Sequence, residues 1–467
     1  FFEFRGHKNS LLNFGMSWQL GGTSNLWAGR CAPMDEYDIS ESRGWPFERQ
    51  KLNEYYAYAS RFLGLEPWER VEQILGVSGK QSGWSELLGD DNWTETKFQW
   101  NRPCFNARPF LENLANTNEN FWVLLNSRAL TLSSENPGPR IKSLEVAIEK
   151  DKRFSISARA YVLACGGIEI PRIILNSNRI KGTKIGHKSK VVGKYLSTHP
   201  KTGIGRLHLK KPVQLNTPMF VDSQRGDMSL RFGLGRSPSW LKISGQLNHY
   251  VQFSAKFEKI GYDMIEHLRE SINLNHGTFN LKGKGYFNKF RSITQFAAIA
   301  SGRAAFNVIG KLGVLQRSTS LLSVRGFFDQ YPSDKNAIKL SSQKDQFDMA
   351  KASVCWQFSE EDYDSVENFL NDLKINLTKK EIGTLDIEFD RQKTQLNGIH
   401  SHFLGTARMG HSSSSSVANE EGQVHDHDNL YLAGSCLLPS YGYANPVLTI
   451  CALAKKTADH IERNWKL

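Results

Sequence analysis

Two side chains in the carboxyl-terminal part of the chain are suited to handling a proton on a polar molecule. His402 opens the run His-Phe-Leu-Gly-Thr, and Asn445 lies in the run Gly-Tyr-Ala-Asn-Pro. A neutral imidazole accepts a proton near pH 7, and an amide orients an oxygen without competing for its proton. Taken singly, each residue is better explained by an ordinary structural role, as a core histidine and as an asparagine that caps a helix starting at Pro446.

Histidines around the first of these residues raise the alternative of a metal site. Five of the thirteen histidines fall in one stretch: His400, His402, His411, His425 and His427. Two pairs are separated by one residue, so each pair would share one face of a strand. No carboxylate or cysteine completes a ligand set, and a serine-rich loop separates the pairs. We predict no metal site, and a metal-dependent enzyme that uses residues 400–427 stays an alternative.

Glycine-rich segments offer close approach of the backbone to a ligand. The loop from Gly21 to Arg30 combines glycines with short polar side chains, and Gly166-Gly167 follows an apolar run. Backbone N–H groups in such loops approach phosphates or planar rings. The dinucleotide fingerprint Gly-x-Gly-x-x-Gly does not occur in the printed sequence. By itself, the first loop is therefore also compatible with an ordinary surface turn.

Three kinds of segment would position these residues. Residues 157–165 predict a buried strand that leads through a glycine turn into a helix. Residues 429–434 predict a second strand ending in glycine, and residues 446–461 predict a terminal helix. Between these α/β segments, residues 203–389 alternate apolar and polar side chains and include a helix pattern at 361–373. This middle part predicts a second domain built on an antiparallel sheet.

Length and composition indicate a globular protein of two domains. The chain has 467 residues, of which 39% are hydrophobic, so a disordered or collagen-like protein is excluded. The six cysteines are dispersed and predict neither a disulfide framework nor a zinc ribbon. No run of about 18 uninterrupted apolar residues occurs. We therefore predict a soluble or peripheral protein with no transmembrane helix, and its location is not otherwise predicted.

The positive charge is concentrated in one segment. The chain has a net charge of +12, and residues 277–328 carry several Lys and Arg but no Asp or Glu. Within this segment, residues 293–315 are apolar and compatible with a helix. Two interpretations stay open, a helix that contacts a membrane surface and a cap helix with a solvated basic rim. No zinc-finger, RNP or helix-turn-helix motif accompanies the charge, so we predict no nucleic-acid partner.

Taken together, the motifs resemble those of the glucose–methanol–choline (GMC) flavoprotein oxidoreductases. The matching segments follow in the family's order along nearly the whole chain, at residues 21–25, 164–172, 192–200, 330–341 and 402–450. The resemblance implies an α/β fold with an FAD-binding, Rossmann-like doubly wound domain at residues 1–202 and 396–467. A substrate-binding α+β domain on an antiparallel sheet, residues 203–395, would be inserted into it.

The resemblance also implies FAD-dependent oxidation of an alcohol to a carbonyl. In the family, the histidine that matches His402 takes the hydroxyl proton while hydride passes to flavin N5, and Asn445 matches its partner. The closing motif is nearest the sugar and polyol dehydrogenase and pyranose-oxidase-like branch. We therefore expect a sugar or polyol CH–OH substrate, a dehydrogenase rather than an oxidase, and an external electron acceptor or redox partner.

Expected cofactor contacts follow from the same motifs. The positions that match the family's FAD-binding residues are Gly21, Gly22, Thr23, Asn25, Gly166, Gly167, Gly434, Ser435, Asn445 and Pro446. Some relatives attach the flavin covalently to a histidine where this chain has Leu26, so we expect non-covalent FAD. The family's FAD fingerprint precedes the stretch that matches Phe1, so we expect the printed sequence to be a piece of a longer chain. A flavin-free binding or structural protein stays the alternative.

Overall fold

The structure is a computed structural model in which part of the chain is described. The described residues are 2–6, 17–71, 73, 91–135, 138–215, 218–225, 228–255, 318–392, 394, 396 and 402–465. The described α-helices are α1 (Asn53–Phe62), α2 (Ala107–Thr117), α3 (Gly166–Ser177), α4 (Pro238–Ser244), α5 (Glu360–Lys379) and α6 (Val447–Trp465).

The described strands fall into four sheets. They are β1 (Phe2–Gly6), β2 (Trp93–Asn101), β3 (Arg128–Ser134), β4 (Ile141–Ala147), β5 (Arg153–Ile156), β6 (Tyr161–Leu163), β7 (Lys201–Gln214), β8 (Ser223–Arg225), β9 (Met228–Arg236), β10 (Tyr250–Ala255), β11 (Ser318–Phe327), β12 (Ala337–Lys344), β13 (Ala350–Trp356), β14 (Gly383–Ile387) and β15 (Leu430–Leu432).

The largest sheet has seven strands and is antiparallel. Its order is β14-β7-β11-β10-β9-β2, with β8 paired to β9. Every residue of β9 is buried, which fits its place inside the sheet. Helix α5 packs beside β14, and its apolar side chains from Val366 to Leu377 join the same hydrophobic cluster as the strands. The expected antiparallel sheet in the middle of the chain is confirmed.

Two details of this middle region differ from the sequence-based expectation. Strand β2 joins the large sheet although it precedes residue 203, because it pairs along its whole length with β9. Strands β12 and β13 form a hairpin in another sheet, where β13 runs parallel to β1. The division into residues 1–202, 203–395 and 396–467 stays a prediction.

A parallel strand pair brings two glycine turns to one edge. Strands β6 and β15 pair in parallel, with Tyr161 opposite Leu430 and Leu163 opposite Leu432. Helix α3 follows β6 directly, as the strand–turn–helix pattern predicts. Strand β6 covers only part of the predicted residues 157–165, and ahead of it the Ala158 N–H donates to the Tyr161 hydroxyl (2.9 Å). The doubly wound arrangement as a whole stays a prediction.

The predicted terminal helix is confirmed as α6, which packs against α1. In the described part of the chain, no helix has both the length and the apolar character needed to cross a bilayer. Residues 277–317 of the basic segment lie outside the described residues, whereas the following residues form β11 in the large sheet. The membrane-surface interpretation of this segment is therefore untested.

Candidate active site

A short antiparallel contact places two histidines opposite each other. The backbones of Ser197 and Leu404 exchange two hydrogen bonds of 3.1 and 3.0 Å in an isolated bridge. His199 lies two residues after the first and His402 two residues before the second. In an antiparallel pair such positions face each other on one side. Their Nδ1 atoms are 2.7 Å apart, and the ring planes meet at 89°.

His199 is enclosed on its other sides. Its Nε2 lies 2.7 Å from the carbonyl oxygen of Gly442, and the ring of Tyr441 contacts it edge-on at a centroid distance of 4.8 Å. Tyr441 in turn donates its hydroxyl to the Thr198 carbonyl (3.3 Å). Burial lowers the pKa of His199 to about 4, opposed by the weaker effect of its bond to Gly442. This imidazole is therefore neutral near pH 7.

Asn445 lies just beyond this turn, at the start of α6. Its side-chain amide donates to the carbonyl oxygen of Arg30 (2.9 Å). The Arg30 guanidinium lies over the buried Trp100 ring at 4.7 Å and binds Asp222 at 3.0 Å. The described hydrogen bond of Asn445 thus fastens the glycine-rich loop to α6, whereas His402 contacts His199.

The segment that starts with His402 is tied to both strand-end turns. The Thr406 hydroxyl donates to the Gly167 carbonyl (2.6 Å), and the Ser435 hydroxyl donates to the Phe403 carbonyl (2.7 Å). Gly166 and Gly434 have φ angles of 84° and 138°, and a Cβ on either would meet no described atom within 4 Å. The turns after β6 and β15 therefore border space that no described atom fills.

The loop at residues 21–25 contains a buried side-chain oxygen that lacks a described hydrogen-bond partner. Residues 22–25 form a 3₁₀ turn in which the Asn25 amide donates to the Leu20 carbonyl (2.7 Å). The Asn25 Oδ1 atom is buried, and no hydrogen-bond partner for it exists among the described residues. Leu26 follows with 55% of its surface exposed. A buried oxygen of this kind fits a donor that a ligand would bring.

A cluster of buried acids, which no sequence pattern predicted, lies against the Gly442 turn. Asp38 and Asp329 are fully buried; Asn248 donates to Asp38 (2.9 Å), and Arg43 binds Asp329 (2.9 Å). Burial raises the pKa of Asp38 well above its ordinary value, and the nearby carboxyls Asp35 and Asp329 raise it further. Burial also raises the pKa of Asp329, although the positive charge of Arg43 acts in the opposite direction.

The histidines considered for a metal site are used in other ways. His402 contacts His199, and His425 Nε2 lies 2.9 Å from the Ser416 hydroxyl. His425 and His427 are in a turn, not on a shared strand face, because Asp426 between them has a φ of 66°. His400 lies outside the described residues. Within the described ranges, no three His, Cys, Asp or Glu side chains group to hold a metal.

His199 is the site residue that sequence reasoning missed. It belongs to the run from Val192 to Pro200, which resembles a motif of the family but does not by itself indicate a role for the histidine. The signal in the sequence was that each histidine stands in a motif resembling the family, at residues 192–200 and 402–450. Their contact depends on pairing of segments 203 positions apart, which no local pattern reports.

Comparisons with known proteins support the family resemblance. Residues 332–454 match the family model described as GMC oxidoreductase. The fructose dehydrogenase large subunit of Gluconobacter japonicus is 22% identical over 332 residues, which cover 70% of this chain and 51% of that protein. The 2-methyl-1,2-propanediol dehydrogenase of Mycolicibacterium austroafricanum is 30% identical over 145 residues, or 31% of this chain and 26% of that protein. The chain thus spans about half or less of these relatives.

A solved structure shows the same fold at low sequence identity. The FAD-dependent oxidoreductase from Chaetomium thermophilum aligns with a TM-score of 0.52 and 14% identity, covering 97% of this chain and 87% of that one. The family match covers the block that contains Thr406, Ser435 and the start of α6, where the described contacts with the strand-end turns are concentrated. Residues 332–454 of this chain therefore resemble the GMC oxidoreductases, and the chain shares the fold of an FAD-dependent oxidoreductase.

Proposed function

We propose that the protein oxidises an alcohol group of a small molecule to a carbonyl with FAD as cofactor. The observation that carries the proposal is the contact of His402 with a buried, neutral His199, since it gives His402 a fixed orientation beside the two glycine turns. A fixed imidazole is suited to accept the hydroxyl proton of an alcohol. The match of residues 332–454 to the GMC oxidoreductase family model supports the same chemistry.

The residues present fit a dinucleotide in two respects. The turns at Gly166 and Gly434 leave open space at the carboxyl ends of a parallel strand pair, where phosphates and rings bind in such folds. The buried Asn25 Oδ1 offers an acceptor to a ligand donor beside Gly21 and Gly22. We propose that these residues, with Thr23, Gly167, Ser435 and Pro446, hold FAD. When bound, FAD supplies the acceptor for the carbinol hydride.

Three side chains of the protein, those of His402, Asn445 and Leu26, would have distinct roles in the reaction and in cofactor binding. His402 accepts the hydroxyl proton, and the resulting positive charge is shared with His199 through their hydrogen bond. Asn445 holds the Arg30 backbone against α6, which keeps the glycine-rich loop beside the site. Because Leu26 has no nucleophilic atom, it forms no bond to the flavin, and FAD is held non-covalently.

We propose a sugar or polyol as the substrate and a dehydrogenase as the type of enzyme. Two relatives carry the names fructose dehydrogenase large subunit and 2-methyl-1,2-propanediol dehydrogenase, which supports both points. Electrons would then leave to an external acceptor or redox partner. Oxidation of a panel of sugars and polyols, assayed with an artificial acceptor and separately with oxygen alone, tests this assignment.

The experiment on the reaction itself is reduction of bound flavin by substrate. The full-length protein is mixed anaerobically with each alcohol, and the loss of flavin absorbance is followed. His402→Asn is expected to keep its flavin and to lose about 10²–10⁴-fold in reduction rate, the usual contribution of a general base. The matched control is His411→Asn, an exposed histidine of the serine-rich loop, which should react normally. Equal rates for both variants would refute the role of His402, and protein purified without flavin would support a flavin-free binding protein.

A further inference from the structure

Both ring nitrogens of His199 are engaged, which allows its protons to be located. Nε2 lies 2.7 Å from the Gly442 carbonyl oxygen, and Nδ1 lies 2.7 Å from Nδ1 of His402. A carbonyl oxygen only accepts hydrogen bonds, so the His199 Nε2 atom carries a proton. His199 is only 7% exposed, and its burial keeps the ring neutral near pH 7. A neutral imidazole has a single N–H, so Nδ1 of His199 is an acceptor.

The proton between the two rings must then come from His402. Two ring nitrogens at this distance share one hydrogen, and since the His199 atom accepts, the His402 Nδ1 atom donates. A neutral His402 with its proton on Nδ1 has its lone pair on Nε2. In water the neutral imidazole side chain favours the opposite tautomer, so the contact with His199 reverses the intrinsic preference.

We propose that His199 is a positioning residue that fixes His402 in the tautomer with its proton on Nδ1 and its lone pair on Nε2. This inference rests on the proposed function for its consequence, which is that Nε2 of His402 takes the hydroxyl proton. The Gly442 carbonyl fixes the orientation of His199 by accepting from its Nε2–H. Catalytic and metal-binding histidines are oriented in the same way, by a hydrogen bond from the ring nitrogen that does not bind the substrate or the metal.

Two substitutions of His199 separate hydrogen bonding from packing. In His199→Asn, the amide oxygen still accepts from His402 and the amide nitrogen can still donate, so the tautomer of His402 is retained. In His199→Phe, the ring keeps the aromatic contact with Tyr441 but offers no acceptor. His402 is then expected to return toward the tautomer with its proton on Nε2.

The tautomer is measured directly by NMR on full-length protein labelled with ¹⁵N-histidine, without substrate. Signals of His402 are assigned by their loss in His402→Asn, and couplings to the ring protons distinguish a protonated from an unprotonated nitrogen. We expect a protonated Nδ1 in the wild-type protein and in His199→Asn, and a population shift toward protonated Nε2 in His199→Phe. A wild-type His402 with its proton on Nε2 would overturn the proposal even if His199→Phe does not fold. An unchanged pattern in His199→Phe would also overturn it.

Flavin reduction gives a second measurement. His199→Phe is expected to slow reduction by on the order of 10–100-fold, and His199→Asn is expected to restore most of that loss. Equal losses in the two variants would indicate a packing role and overturn the proposal. Failure of every alcohol to reduce the flavin would refute the proposed function, whereas the NMR result does not depend on any substrate.

Discussion

A Cβ atom at position 442 would lie 2.0 Å from the Oδ2 atom of Asp38, so the Gly442 backbone packs directly on this buried carboxyl. The carbonyl of Gly442 is the group that accepts from His199. The Ser440 hydroxyl also donates to the Asp38 backbone carbonyl at 2.7 Å. Asp38 therefore supports the turn that orients the histidine pair, although it belongs to a segment 400 residues earlier in the chain.

Replacing Gly442 with alanine tests this close packing. The residue has a φ of 57°, so a side chain adds backbone strain as well as the collision with Asp38. We expect the free energy of unfolding to fall by roughly 2–4 kcal/mol in urea denaturation. Gly245→Ala is the matched control, since its φ is 67° but a Cβ there meets no described atom within 4 Å. It should cost only about 1 kcal/mol, and an equal loss in both variants would argue against the collision.

Asp38→Asn should change how stability depends on pH. Because the pKa of Asp38 is raised in the folded protein, the folded state binds more protons than the unfolded state above the ordinary carboxyl pKa. Stability from this group is therefore present at low pH and is lost as the pH rises through the raised pKa. The variant should gain about 0.5–2 kcal/mol at pH 8 and flatten the decline from acidic to alkaline pH.

Thermal and urea unfolding at several pH values measure this effect. The control is Asp151→Asn at an exposed position, for which the difference in stability from the wild type should stay small. If the stability of Asp38→Asn relative to the wild type falls with rising pH, Asp38 is ionised and favourably bound in the folded protein, contrary to the assignment.

Arg172 should be essential to the stability of α3. Its guanidinium binds Glu169 (3.0 Å), Asp345 (2.5 Å) and the Ala350 carbonyl (2.9 Å), and only 2% of its side chain is exposed. Arg172→Met would leave two carboxylates without their partner, at a cost of about 3–5 kcal/mol. Arg108→Met removes an exposed ion pair with Glu112 and should cost less than about 1 kcal/mol. Similar unfolding midpoints for both variants would show that the buried pairs contribute little.

Non-covalent binding predicts that flavin leaves the protein on denaturation. The exposed Leu26 side chain has no atom that could attach to the isoalloxazine ring. Acid precipitation of the flavin-loaded full-length protein should therefore leave essentially all flavin absorbance in the supernatant. Flavin that stays with the washed pellet would show a covalent bond and would direct attention to another residue.

The sequence alone predicted elements whose buried apolar residues recur with the period of a helix or a strand. The predicted helix 361–373 lies within α5, whose start is set by a capping box in which the Ser359 and Asp362 side chains bond each other's backbone. Its extension to Lys379 was not predicted, because residues 374–379 are mostly polar and their helicity depends on the buried Asn376 and Leu377. The parallel partner of β13 depends on long-range pairing and could not be predicted either.

The candidate site was predictable only in part, because some of its contacts join segments that are distant in the sequence. His402 and the glycine turns belong to motifs with distinctive residue order, and the structure brings His402 to those turns. The interaction of His402 with His199 and the dependence of Gly442 on Asp38 arise from distant segments meeting in space. Neither segment has a composition that specifies its partner.

The contact between His199 and His402 closes a loop of 203 residues. Closure entropy grows only slowly with loop length, so the intervening sheet can be large at modest thermodynamic cost, but contacts this distant form late in folding. During refolding, native-like helix content should return before the imidazole pair does. A cut within the intervening residues would make the pair depend on association of two fragments, and the fraction of molecules in which the pair is formed would then depend on protein concentration.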